Sequence, residues 1–176
     1  RETYAAFESG LQSPASEVYL HEMPGGQFTN LKAQARSLGL EERWHEVAQA
    51  YADVNRMFGD IVKVTPSSKV VGDMALMMVA QGLTPQQVMD PNVEVSFPDS
   101  VVDMMKGNLG QPPGGWPEAL QKKVLKGEAP ITDRPGAHLE PVDIEATRAK
   151  LSADLGVEID NEDLNGWLMY PKVFSD

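Results

Sequence analysis

The chain has 176 residues, enough for one domain with a real core, or one domain plus a small appendage. A formal net charge of −11 excludes the basic surface that nucleic acid or an anionic membrane requires, and 41% apolar with 23% charged residues argues against long disorder. The absence of cysteine excludes disulfides, thiol nucleophiles and cysteine metal sites, and no apolar run approaches the roughly 20 residues that span a bilayer. No signal peptide is visible in the opening Arg1-Glu2-Thr3. The missing initiator methionine and the abrupt end at Phe174-Ser175-Asp176 give the expectation of a piece of a longer protein, or of a processed N-terminus.

The pattern predicts a mainly α protein with a few short strands (α+β). Asn30 is expected to cap a short helix with Leu31, Ala35 and Leu38 inward, ended by Gly39. Residues Glu41 to Phe58 carry the clearest helical stripe: Trp44, Val47, Ala48, Tyr51, Val54, Asn55 and Phe58, with Gly59 as the stop. The β-branched run Asp60 to Val64 reads as a strand or an extended entry. A helix from Pro66 to about Gln81 buries Val71, Met74, Ala75 and Met78. Thr84-Pro85-Gln86-Gln87 is a capping box with proline at the first helical position. Two more helices follow, over Ser96 to Lys106 and Trp116 to Lys126. Gly127 to Pro141 reads as an extended connector. Asp143 caps a helix with Ile144, Thr147, Leu151 and Leu155 inward, and Asp160 caps a last one carrying Leu164, Trp167 and Leu168. The expected division is a helical part over 1–126, a connector over 127–142 and a small helical tail over 143–176.

Thr65-Pro66-Ser67-Ser68-Lys69 puts hydroxyls and an ammonium at a helix start, where backbone N–H groups are unpaired and the dipole end is positive. Thr65 has two readings. Its hydroxyl caps the helix by accepting from the N–H of Ser67 or Ser68, or it passes a proton to or from an enolate that the dipole helps to stabilise. Lys69 stands against its local preference, since cations suit the other end of a helix; it is either a solvated surface lysine or a functional group. Pro24-Gly25-Gly26-Gln27 reads as a tight turn, either a plain one or one that brings backbone close to a ligand with the Gln27 amide inward. Pro112-Pro113-Gly114-Gly115-Trp116 has the same two readings. Neither has the glycine spacing of a P-loop or a dinucleotide fingerprint.

His21, His45 and His138 fit no metal-ligand spacing, and His45 lies on the solvent side of its helix by period. Met74, Met77, Met78, Met104 and Met105 are expected in the core. Met104-Met105-Lys106-Gly107 is not a biotin attachment site, because glycine follows the lysine and the surroundings read as helix.

These pieces together resemble the pyruvate carboxylase family. Tyr4-Ala5-Ala6-Phe7, Glu22-Met23-Pro24-Gly25-Gly26-Gln27-Phe28-Thr29-Asn30-Leu31, the run from Gly59 through Thr65-Pro66-Ser67-Ser68-Lys69 to Asp73, and Gly114-Gly115-Trp116-Pro117-Glu118 stand in the family's order. The likeness continues through Asp133-Arg134-Pro135-Gly136 to Met169-Tyr170-Pro171-Lys172-Val173-Phe174 and covers essentially the whole chain. Pro113 departs from the pattern where a histidine is common, and Trp116 replaces a phenylalanine.

The resemblance implies the part of a carboxyltransferase domain that follows, and packs against, an upstream TIM-type barrel. It implies biotin as cofactor, with pyruvate and oxaloacetate as small-molecule partners. By this resemblance Thr65 is the catalytic proton relay between the pyruvate methyl group and the biotin nitrogen, and Ser68, Lys69 and Gln27 contact biotin. Related decarboxylases and transcarboxylases tend to have Met in place of Gln27 and Gln in place of Lys69, so both residues favour the carboxylase. A noncatalytic helical oligomerisation module is the alternative of another class. The family's divalent metal site and substrate arginine lie upstream, outside this chain, as do the ATP-dependent domain and the biotin carrier domain. The isolated segment is therefore expected to be inactive, the full enzyme a homo-tetramer, and its compartment the bacterial cytoplasm, or the mitochondrial matrix in a eukaryote.

Overall fold

The computed structural model describes residues 2–8, 13 and 16–174. It divides into two compact units, 1–137 and 138–176. The described residues are helical, with no strand among them.

In the first unit, a 3-10 turn at Glu2–Phe7 precedes α1 (Val18–His21) and α2 (Gly25–Ser37). A second 3-10 turn, Glu41–Arg43, leads into α3 (Trp44–Met57), followed by α4 (Ser67–Gln81), α5 (Pro85–Met89), α6 (Asp99–Lys106) and α7 (Glu118–Leu125). The seven residues of the predicted α3 stripe are all buried. Gly59, at φ +92°, closes that helix. Its N–H donates to the Arg56 carbonyl, and the Asp60 N–H donates to the Asn55 carbonyl, a Schellman pair. α4 is apolar on more than one face because it is the central element. It packs against α3 on one side and against α2 and α6 on others, burying Val70, Leu76 and Val79 beyond the predicted stripe. The capping box at Thr84 forms, with the Gln87 N–H donating to Thr84 Oγ1 and the Thr84 N–H to Gln87 Oε1. Met74, Met78, Met104 and Met105 are core residues, and Met77 is partly buried against them.

Several expectations are corrected. The glycines after Pro24 form the first turn of α2, not a turn ahead of it, so the helix starts at Gly25 and Asn30 lies inside it, exposed. Proline supplies a pre-set φ of −57° at the N-cap, and neither glycine needs a positive φ. Leu38 is the C-cap residue and stays 59% exposed. Residues 61–64 carry no assigned secondary structure and no ladder partner, so of the two readings of Asp60 to Val64 the strand does not form. α6 and α7 begin at Asp99 and Glu118, each just after a proline N-cap.

The second unit holds α8 (Ile144–Leu155), α9 (Asn161–Met169) and α10 (Pro171–Phe174) around a core of Leu151, Ile159 and Leu164. Asp143 accepts from the Ala146 N–H, and Asp160 from the Glu162 and Asp163 N–H groups, so both expected caps form. Ile144 and Leu155, expected inward, are 44% and 39% exposed, because a core of this size cannot cover a four-residue stripe on α8.

Candidate functional site

Thr65 follows residues 61–64 and is joined to Pro66 by a cis peptide bond. It is exposed, and among the described residues its hydroxyl has no hydrogen-bond partner. The capping reading therefore does not hold. Pro66 occupies the N-cap position, and the Ser68 N–H donates to the Val64 carbonyl at 3.2 Å. Closing the turn falls to Ser67, whose Oγ accepts from the Val64 N–H at 3.2 Å and lies 2.6 Å from the Val62 carbonyl and 2.7 Å from that of Val64.

Thr65 lines an open cleft of about 230 Å3. Ile61, Val62, Val64, Pro66 and Ser67 form one wall with it, and Met104, Leu109, residues 110–113 and Trp116 form the other. The walls are largely apolar. Trp116 stands edge-on to buried Phe58, with ring centroids 6.3 Å apart. The second glycine turn, at Gly114 and Gly115 with φ of +87° and +75°, carries the chain from this wall into α7.

Gln27 lies against α4 at a close approach of α2 to that helix. A Cβ placed on Gly72 would stand 2.5 Å from Gln27 Nε2 and 2.9 Å from Leu31 Cδ1. Gly72 therefore leaves room for the Gln27 amide against the α4 backbone. Ser68, one turn earlier on α4, lies on the same stripe as Gly72. Both residues are buried, at 9% exposure for Gln27 and 6% for Ser68. Neither side chain has a hydrogen-bond partner among the described residues, although the Ser68 carbonyl accepts from buried Tyr51 Oη at 3.4 Å. Burial pushes the Tyr51 phenol well above its ordinary range, so it stays a neutral donor.

Lys69 lies one stripe further round the helix. Its ammonium donates to Asp73 Oδ2 at 2.6 Å. The Thr65 cleft does not include Ser68, Lys69 or Gln27 in its walls. The four residues share the start of α4 and the adjoining turn of α2 rather than a single cavity.

A strut joins the segments bearing Gln27 and Thr65. Lys63 Nζ donates to Glu22 Oε2 at 2.9 Å, and with the Asn55 amide turned to donate to the Ile61 carbonyl, Asn55 Oδ1 accepts from Lys63 at 3.2 Å. The Lys63 side chain is only 13% exposed. Its hydrogen bond and charge hold the Glu22 carboxyl below the usual range. Next along the chain, His21 Nδ1 accepts from the Met23 N–H at 3.0 Å, and the imidazole lies beside Phe28. Burial pushes the His21 pKa down, against the opposing pull of Glu17. Sequence reasoning missed Lys63, Gly72 and Asp73. The available signals were a charged residue inside the apolar run Ile61-Val62-Lys63-Val64 and a glycine, Gly72, inside a helical pattern.

Among the described residues, no group of three or more His, Cys, Asp or Glu could hold a metal ion, and no helix is long and apolar enough to cross a membrane.

Thr65 is exposed just ahead of α4, Ser68 and Lys69 stand in the first turn of that helix, and Gln27 packs against Gly72 further along it. Residues 18–176 match the model described as the conserved carboxylase domain, and the chain belongs to that family. It is 56% identical over 176 residues to pyruvate carboxylase of Bacillus subtilis (strain 168), covering all of this chain and 15% of that protein. It is 51% identical over 174 residues to pyruvate carboxylase of Staphylococcus aureus (strain Mu50 / ATCC 700699), covering 99% of this chain and again 15% of the relative. Among solved structures, the carboxyl transferase domain of Rhizobium etli pyruvate carboxylase with pyruvate and biocytin superposes with a TM-score of 0.94 at 69% identity. That match covers all of this chain and 30% of the domain. The complete multifunctional enzyme of the same organism matches at 0.91 and 70% identity, over 98% of this chain and 17% of that one. The chain thus spans about 15% of the length of the curated relatives it matches.

Proposed function

We propose that this chain forms one wall of the carboxyl transfer site in a biotin-dependent pyruvate carboxylase, which converts pyruvate to oxaloacetate. The observation that carries the reading is the Thr65 hydroxyl, unbonded and open to a cleft at the start of α4. A hydroxyl both donates and accepts, so Thr65 Oγ can take a proton from the pyruvate methyl group and hand one to the biotin nitrogen with little movement. Biotin, carried from elsewhere in the parent enzyme, supplies the carboxyl group when bound. The Ser68 hydroxyl, the Lys69 ammonium and the Gln27 amide are the donors for its ureido oxygen, and the Ser68 and Gln27 side chains, which have no hydrogen-bond partner among the described residues, support that role. The positive end of α4 favours negative charge developing on either reactant.

In this reading residues 1–126 carry the site, 127–142 connect and 143–176 form a tail. The first part packs on an upstream barrel that holds the divalent metal and the substrate arginine. The biotin carrier domain is its visiting partner and the parent enzyme is a homo-tetramer. The chain alone is inactive. Lys69 and Gln27 favour the carboxylase over a decarboxylase subunit, and an unbonded Thr65 weighs against a noncatalytic module, which has no use for it.

The test is Thr65→Ala in the full-length enzyme. Oxaloacetate formation is expected to fall by about 10²- to 10⁴-fold, while ATP-dependent carboxylation of biotin continues. Near-normal oxaloacetate formation would sink the proposal.

A further inference from the structure

Lys69 is not a loose surface cation. The Asp73 oxygen that accepts from its Nζ at 2.6 Å also accepts from Ser100 Oγ at 2.7 Å. Ser100 stands in the first turn of α6, which packs along α4. The Asp73 side chain is 19% exposed and that of Lys69 is 59% exposed, so the carboxylate is the fixed partner and the ammonium the adjustable one. An i, i+4 pair between two freely moving surface chains would orient little. Here the acceptor is braced from a second helix, which gives the pair a geometry of its own.

An ammonium has three N–H donors. Asp73 engages one, leaving others for an incoming acceptor. A lysine stem has several rotatable bonds, and ordering it before the ligand arrives removes that entropic cost from the binding step. The pair also sets what kind of acceptor fits. A neutral ring carbonyl can share an ammonium that remains paired, whereas an anion would have to displace the carboxylate or meet its repulsion.

We propose that Asp73, braced by Ser100, is the positioning residue that presents the Lys69 ammonium to the biotin ureido oxygen. The inference rests on the assignment of Lys69 to the biotin pocket. It places the contribution of Asp73 in affinity for biotin and not in the proton transfer at Thr65.

The full-length enzyme tests this with added free biotin as the probe, in the biotin-dependent decarboxylation of oxaloacetate. Asp73→Asn keeps the size of the side chain and removes its charge. It is expected to raise the KM for free biotin about 5- to 20-fold, as for loss of a charge-assisted hydrogen bond, with kcat at saturating biotin within about twofold of the parent. Ser100→Ala should raise the same KM about two- to fourfold, as for a neutral hydrogen bond, and Asp73→Glu, which retains the charge, should recover part of the loss. In a Lys69→Gln background, Asp73→Asn should add nothing further, because its partner is already gone. An unchanged biotin KM in Asp73→Asn, a fall in kcat alone, or full additivity with Lys69→Gln would overturn the proposal. If Lys69→Gln itself leaves the biotin KM unchanged, both this proposal and the biotin-pocket assignment of Lys69 fall. A silent Asp73→Asn beside an impaired Lys69→Gln removes only this one.

Discussion

Gly72→Ala tests the close approach on which the Gln27 placement depends. The added Cβ would stand 2.5 Å from Gln27 Nε2 and 2.9 Å from Leu31 Cδ1. Relaxing to an ordinary separation requires the amide to retreat by roughly 1 Å and the leucine by somewhat less, since packed carbon atoms rest about 3.5–4.0 Å apart. Leu31 is fully buried and Gln27 nearly so, which leaves little room to yield. Two effects then compete. Alanine in a helix interior gains about 1 kcal/mol over glycine. Overpacking costs about 1–3 kcal/mol. The expected net result is a loss of about 1 kcal/mol, which lowers the melting temperature by about 3–6 °C for a unit of this size. On the proposed assignment of Gln27 to biotin, the biotin KM of the full-length enzyme should also rise about fivefold, the equivalent of one ordinary hydrogen bond. Thermal unfolding of the chain followed by far-UV circular dichroism, together with the biotin KM, provides both readings. A variant stabilised by the full alanine gain, with an unchanged KM, would show that the amide does not lie against α4.

Burial keeps His21 neutral in the folded chain below its unfolded pKa of 6.5, so its share of stability is full above pH 6.5 and is lost as pH falls toward the depressed folded value. His21→Asn, which retains an acceptor near Nδ1, should flatten the stability curve below pH 6.5; an unchanged slope there would contradict the assignment. Lys63→Met cuts the strut to Glu22. The Glu22 pKa, followed by NMR, should return upward toward 4.5, and carboxyl transfer in the full enzyme should fall about tenfold through a misplaced Thr65 segment; no change in either would refute the coupling. The sign for Glu22 is the usual carboxylate one, with stability present above its unfolded pKa and lost as pH falls through the depressed value. Asp160→Ala removes the acceptor for two α9 N–H groups and should cost about 0.5–2 kcal/mol, read as faster amide exchange within 138–176 and no change in α3 or α4.

Local signals were legible where one residue decides the outcome. The α3 stripe, the stop at Gly59 and the caps at Thr84, Asp143 and Asp160 needed no tertiary information. The start of α2 was misread because a Pro-Gly-Gly run suits a turn and a first helical turn equally well. Of the two readings of Asp60 to Val64, strand and extended entry, the strand fails because β-branched composition does not supply a ladder partner. The runs holding Thr65, Ser68, Lys69 and Gln27 stood out by pattern and took their proposed roles from a family likeness, but spacing alone would not have placed Gln27 against Gly72 of α4. That juxtaposition depends on how closely two helices approach, and the cue was a glycine inside a helix that had no conformational need for one. Asp73 and Ser100 escaped for the same reason, since their pairing crosses from α4 to α6.

The central claim is that Thr65 carries a proton between pyruvate and biotin. It is tested most directly by the biotin-dependent exchange of pyruvate methyl hydrogens with solvent in the full-length enzyme. With Thr65→Ala the exchange should fall to the level seen without biotin, and Thr65→Ser, which keeps a hydroxyl, should recover part of it. Biotin-dependent exchange at the parent rate in Thr65→Ala would contradict the account.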